Sequence, residues 1–213
     1  MSVLTGQRIV PLASPRDERE TKALRDGLLD GGIGIVEIAL RTPHAMTALA
    51  SLSGESRLAV GAGTVLDAVH ARASIDAGAS FLVSPGLSEE VVAVAREHGV
   101  PVLPGVATAS EVMRARALGL RTLKVFPANV LGGLRLLDAW HAVFDDIGFM
   151  PSGGVSQDSL AEHLAHPAVV AVSGSWMTSG ALLAEGADVV AAAVHAARLA
   201  ASQVPVARGA EPR

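Results

Sequence analysis

Short apolar runs alternate with amphipathic stretches from one end of the chain to the other. Runs of four to eight apolar or β-branched residues, bounded by Gly, Pro, Asn or Ser, predict strands at 8–12, 33–40, 58–61, 80–83, 100–103, 121–126, 147–150 and 168–172. Between them, apolar positions recurring at helical spacing predict helices at 15–30, from 42–43 onward, 66–76, 88–98, 109–117, 134–142, 157–165 and 184–201, with a short helical turn near Ser175. Ser14 is the expected cap of the first helix, Pro15 its first residue and Gly31-Gly32 its end. Strands that alternate with helices imply parallel strands joined by crossovers. Eight such units most simply close into a (β/α)₈ barrel, an α/β fold of one domain. An open doubly wound sheet competes with it. That fold would usually carry a Gly-x-Gly-x-x-Gly turn after the first strand, and Ala13-Ser14-Pro15 stands there instead. The barrel is expected over 7–202, with an N-terminal tail at 1–6 and a disordered C-terminal tail at 203–213.

Composition narrows the partners. Hydrophobic residues make up 50% of the chain and charged residues 18%, enough for one sizeable core and too little polar surface for two domains. No cysteine is present, which removes disulfides and thiolate zinc sites. A net charge of -4 and only 3% aromatics argue against a nucleic-acid surface. No apolar run reaches the length of a membrane span, and no basic region followed by an apolar core opens the chain, so a cytoplasmic protein acting on a small molecule is expected.

The unusual residues fall at the predicted C-terminal strand ends, where barrel enzymes place their active sites. Only Lys22 and Lys124 of the 17 basic residues are lysines, and Lys124 stands in the apolar run Leu123-Lys124-Val125-Phe126. Arginine keeps its proton in proteins, whereas a buried lysine can lose it and attack a carbonyl. Glu37 is embedded in the apolar second strand, and alternation puts it on one face with Ala39 and Arg41. If that face points inward, Glu37 and Lys124, on even-numbered strands, can share a layer. A structural ion pair inside the barrel is the competing reading. Ser152-Gly153-Gly154 and Ser173-Gly174-Ser175 follow the seventh and eighth strands, where this fold builds a phosphate cup from backbone N–H groups; ordinary tight turns are the alternative. Of the seven histidines, His163 and His166 have ligand-like spacing, but they lie off the rim with no acidic cluster and read as solvated helix residues rather than a metal site.

Taken together, the chain resembles the 2-keto-3-deoxy-6-phosphogluconate (KDPG) and 4-hydroxy-2-oxoglutarate (KHG) aldolase family. The motifs that carry the resemblance are Val36-Glu37-Ile38-Ala39-Leu40-Arg41-Thr42, Val60-Gly61-Ala62-Gly63-Thr64-Val65, Val83-Ser84-Pro85-Gly86, Leu103-Pro104-Gly105-Val106, Leu123-Lys124-Val125-Phe126-Pro127-Ala128, Pro151-Ser152-Gly153-Gly154 and Gly174-Ser175-Trp176. The resemblance implies a class I aldolase of the Entner–Doudoroff pathway that needs no cofactor and no metal and assembles as a homotrimer. It implies Lys124 as the Schiff-base lysine and Glu37 as the general acid/base. Arg41, Thr64, Pro85 and Phe126 would hold the pyruvate part, and Ser152, Gly153, Gly154, Gly174 and Ser175 the phosphate part. Ala39, Ala109, Ser152 and Asn129 depart from the family's usual residues, which bears on substrate preference rather than reaction type. The expected substrate is 2-dehydro-3-deoxy-6-phosphogluconate, with KHG and the phosphogalactonate analogue as alternatives. A phosphosugar isomerase or epimerase, or a non-catalytic phosphosugar-binding barrel, are the readings from other classes.

Overall fold

The computed structural model describes residues 4 and 6–205. Its strands are β1 (Ile9–Ala13), β2 (Ile35–Ala39), β3 (Ala59–Gly63), β4 (Phe81–Val83), β5 (Val102–Leu103), β6 (Gly105–Val106), β7 (Thr122–Val125), β8 (Gly148–Pro151) and β9 (Val172–Gly174). The helices are α1 (Glu18–Gly31), α2 (Ala45–Ser53), α3 (Ala68–Asp76), α4 (Glu89–Glu97), α5 (Ala109–Ala117), α6 (Leu134–His141), α7 (Leu160–Ala165), α8 (Gly180–Glu185) and α9 (Ala187–Ser202). Every named strand pair is parallel. Six strands form a curled sheet in the order β5-β4-β3-β2-β1-β9, and three form a second in the order β6-β7-β8. Isolated parallel bridges, Phe149 to Val169 and Ser152 to Ser173, join the far edge of the second sheet to the β9 segment of the first.

Three expectations need correction. The first helix starts at Glu18, not Pro15: Asp17 is the cap, in extended conformation, and its carboxylate accepts from the Glu20 N–H at 2.8 Å. Acidic residues at 18 and 20 then face the positive helix end, which Ser14-Pro15 would have placed outside it. Second, the fifth strand, expected at 100–103, is only Val102–Leu103, and a further strand that was not expected, Gly105–Val106, follows it. Val102-Leu103 pairs back to β4, and Gly105-Val106 pairs forward to β7. Between them lies Pro104, which has no N–H to donate and whose carbonyl accepts from Lys124 N at 2.9 Å. Third, the run 168–172 is buried except at Val170, which is partly so, and only its last residue belongs to the strand, Val172–Gly174. The run touches β8 at Val169, and the ladder to β1 begins only where Val172 N donates to Arg8 O. Of the expected tails at 1–6 and 203–213, residues 1–3, 5 and 206–213 lie outside the described residues, and Leu4 is buried against the core.

One apolar cluster runs through both sheets and the helices around them. All five β2 residues are buried, as expected of a parallel strand covered on both sides. On the inner face, glycine makes room for larger neighbours. A Cβ on Gly61 would lie 2.2 Å from the Phe81 ring, and one on Gly63 would lie 2.2 Å from Glu37 Oε1. Gly-Ala-Gly in β3 is therefore what lets Phe81 and Glu37 occupy that face.

Candidate active site

Glu37 sits at the middle of β2, in register with Leu12 on β1 and Gly61 on β3. Lys124 is on β7, in register with Gly105 and Met150. The strands are far apart in sequence, yet Lys124 Nζ lies 3.1 Å from Glu37 Oε1, and both side chains are buried. The ammonium also stands 5.5 Å from the centroid of the Phe126 ring, which lies beside it as a wall. A buried carboxylate and ammonium are each costly to strip of water and hold here because they face each other. One donor remains on the Glu37 side: the Ser173 hydroxyl, fully buried on β9, donates to Oε2 at 3.3 Å.

Outward of this pair, the ends of β2 and β3 bring Arg41 and Thr64 together. Arg41 Nε donates to Thr64 Oγ1 at 3.0 Å. Thr64 has a φ of 62°, a left-handed conformation rare for a β-branched residue. Such strain persists where the surroundings impose it, and here it turns the threonine hydroxyl toward the guanidinium. Among the described residues the remaining nitrogens of the exposed Arg41 guanidinium have no acceptor. Pro85 follows β4, and its carbonyl would lie 2.1 Å from a Cβ on Gly105, so the two loops touch backbone to backbone.

The glycines after β8 supply the other half of the rim. Gly153 and Gly154 have φ of 86° and 93°, which only glycine adopts without strain. Gly153 packs under Phe126, where a Cβ would meet the ring at 3.2 Å. The carbonyls of Ser152 and Gly153 accept from the N–H groups of Ala128 and Asn129. Among the described residues, the N–H groups of Gly153, Gly154 and Ser175 have no protein acceptor. Ser152 is buried in the bridge to Ser173, Gly174 is buried against Trp176, and Ser175 is exposed at the rim.

Two readings from sequence change. Ser173 belongs to the Ser173-Gly174-Ser175 run expected at the phosphate cup, but its hydroxyl is spent on Glu37; the signal for it was its place two residues before Ser175, one step deeper on the same face. His163 and His166 are not solvated. His163 Nδ1 bonds the Ser159 carbonyl at 2.8 Å, and His166 lies between Asp138, at 3.1 Å, and the Ala168 N–H. Among the described residues no group of three or more His, Asp or Glu could hold a metal ion, and no helix is long and apolar enough to cross a membrane.

Residues 1–193 match the family model described as KDPG and KHG aldolase. A 2-dehydro-3-deoxy-phosphogluconate aldolase of Pseudomonas aeruginosa is 46% identical over 180 residues, covering 84% of this chain and 82% of that protein. The crystal structure of the 2-keto-3-deoxy-6-phosphogluconate aldolase of Zymomonas mobilis with 3-phosphoglycerate superposes with a TM-score of 0.85 at 33% identity, covering 93% of this chain and 92% of that one. The KDPG aldolase of Legionella pneumophila, with pyruvate captured as a covalent carbinolamine, gives a TM-score of 0.82 at 30% identity, covering 92% and 94%.

Proposed function

This chain belongs to the KDPG and KHG aldolase family, and from that premise we propose that it cleaves 2-dehydro-3-deoxy-6-phosphogluconate to pyruvate and glyceraldehyde 3-phosphate through a Schiff base on Lys124. The observation that carries the reading is the buried contact of Lys124 Nζ with Glu37 Oε1 at 3.1 Å. In that contact Glu37 can take the ammonium proton and leave a neutral amine. The amine attacks the 2-keto carbon to form a carbinolamine; the Glu37 carboxyl gives that proton to the departing hydroxyl, so loss of water gives an iminium and leaves Glu37 ionised again. Glu37 then removes the proton of the 4-hydroxyl. The C3–C4 bond breaks, its electron pair passes into the iminium to form an enamine, and the aldehyde leaves. The same carboxyl returns its proton to C3, and water releases pyruvate from the lysine. Arg41, turned by Thr64, takes the 2-oxo acid carboxylate. Pro85 and Phe126 line the pyruvate end, as the closeness of the Phe126 ring to Lys124 supports.

The phosphate falls to Ser152, Gly153, Gly154, Gly174 and Ser175. Support comes from the free N–H groups of Gly153, Gly154 and Ser175 and from the phosphorylated acid bound by the Zymomonas relative. On this reading a phosphorylated substrate outruns KHG in kcat/KM, and turnover on the three-substrate panel measures it. The fold is a closed (β/α)₈ barrel: 102–106 serves as one strand bent at Pro104, and the bridges at Phe149 and Ser152 support closure against β9. A homotrimer and a cytoplasmic location complete the proposal. Leu66, Val69 and Met113, more than half exposed, offer apolar surface for assembly, and light scattering would read three chains.

The decisive experiment is borohydride reduction in the presence of pyruvate. A stable adduct mapped to Lys124 by mass spectrometry is expected, and none in Lys124→Ala. Cleavage of substrate with Lys124 never modified would overturn the Schiff-base assignment and favour Lys124 as a plain electrophile.

A further inference from the structure

We propose that Ser173 is a positioning residue for Glu37. Its hydroxyl pins Oε2 and thereby fixes Oε1, the oxygen on Lys124, as the one that takes and returns the proton. The inference rests on the Lys124–Glu37 reading and adds to it a residue that touches neither substrate nor lysine.

The geometry is specific. Ser173 Oγ donates to Glu37 Oε2 at 3.3 Å while Lys124 Nζ holds Oε1 at 3.1 Å, so each carboxylate oxygen has its own donor. Serine and glutamate are both 0% exposed, so no water can replace the bond. The serine backbone is held from both sides, by register with Val10 on β1 and by the bridge to Ser152. Its hydroxyl therefore sits on a rigid strand, with one side-chain torsion left to set.

Sterics alone do not hold the carboxylate in this orientation. The last torsion of a glutamate is broad and nearly two-fold. On the β3 side the neighbour is Gly63, which has no side chain to act as a stop. Hydrogen bonds then decide which oxygen faces the reacting atoms. A serine hydroxyl suits both states of the cycle. It donates to Oε2 when the carboxylate is ionised. It still donates when Oε1 carries the proton, because Oε2 is then the carbonyl-like acceptor. The proton balance closes on one oxygen: Oε1 gains the 4-hydroxyl proton at cleavage and loses it to C3 of the enamine.

The test separates amine chemistry from proton transfer. Pyruvate methyl hydrogens exchange with deuterium only if the enamine forms and reverts, which NMR in D₂O reads. Borohydride trapping of pyruvate reads the imine alone. In Ser173→Ala, the extent of trapping on Lys124 after equilibration with pyruvate should stay at the parent level, whereas exchange and kcat fall about tenfold, the scale of one buried hydrogen bond left unmade, with KM little changed. Ser173→Thr, which keeps the hydroxyl, should recover most of the loss. Parent-like exchange in Ser173→Ala would overturn the proposal. So would adduct, exchange and melting temperature falling together, which is the mark of a purely structural serine. Should the alanine variant fail to fold, Ser173→Cys, with a similar volume and a weak donor, is held to the same expectations. Failure of the parent itself to trap pyruvate at Lys124 would instead remove the underlying aldolase mechanism, and is thereby told apart.

Discussion

At the scale of single residues, the candidate site depends on charges placed where burial makes them expensive. Glu37 is 0% and Lys124 3% exposed, and each is compensated chiefly by the other. Glu37→Gln keeps the shape and removes the base. Turnover should fall by about 10²–10⁴, the usual contribution of a positioned general base, while some borohydride adduct with pyruvate still forms. Steady-state cleavage beside adduct mapping checks both, and undiminished turnover removes Glu37 from the mechanism. Lys124 and Glu37 were legible in the sequence because a charge inside an apolar run has few explanations. Arg41 was legible by alternation, on the Glu37 face, and the roles of Arg41 and Thr64 through resemblance, but the hydrogen bond between them was not: it depends on a left-handed φ at a threonine, which no residue pattern announces. Ser173 was misread because a serine beside a glycine near a strand end looks like turn chemistry. Its partner is 136 positions away in the sequence.

At the scale of elements, helix ends show what local chemistry can and cannot specify. The helix at Ala109–Ala117 was legible to the residue because its cap is a local device. Thr108 accepts from the Glu111 N–H, and Glu111 Oε2 accepts from Ala107 N, Thr108 N and Thr108 Oγ1 at 2.8–3.0 Å. The start of α1 was misplaced because Ser14 and Asp17 are both good caps, and only the return from β1 selects between them. The strand at 100–103 was seen, but the further strand Gly105–Val106 beyond Pro104 was not, since it is defined by pairing with a different neighbour, β7 rather than β4. The Glu111 box also has a pH signature. Burial pushes the Glu111 carboxyl up, but the N–H groups of Ala107 and Thr108 and the Thr108 hydroxyl outweigh it and hold the carboxyl below its ordinary 4.5. A folded value below the unfolded one means the stabilisation is present above 4.5 and is lost as pH falls through the lowered value. Glu111→Ala should therefore cost about 1 kcal/mol at neutral pH, a drop of about 2–4 °C in melting temperature for a chain of this length. The difference from the parent should narrow in acid. Melting curves at fixed protein concentration, near neutrality and well below pH 4.5, check it, and a gap that widens in acid would contradict the sign.

At the scale of the whole molecule, the first and last helices pack side by side, and the last also touches β1. The contact between the helices explains two glycines that helical pattern alone would call weak points. Gly27 and Gly31 lie inside α1, and Gly32, at φ 81°, is the residue that ends it. A Cβ on Gly27 would lie 2.6 Å from two Val190 carbons and 2.9 Å from the Ala187 carbonyl of α9; one on Gly31 would lie 2.5 Å from Val194. Two effects then oppose each other in Gly27→Ala. Alanine in a helix interior gains about 1 kcal/mol over glycine. Forcing a methyl into a filled contact costs about 1–3 kcal/mol, and the upper part of that range applies because one obstacle is backbone, which cannot rotate away. Net destabilisation of about 1–2 kcal/mol is expected. Trimming the partner removes the Val190 Cγ1 contact but leaves its Cβ and the Ala187 carbonyl, so it should relieve part of the clash, and Gly27→Ala with Val190→Ala should lose less than the sum of the two single changes. Unfolding midpoints of the four proteins close that cycle. Strict additivity, or a stabilised single variant, would mean that α1 and α9 are free to move apart. The terminal helix would then be dispensable to the frame that holds β9, and with it Ser173, against β1.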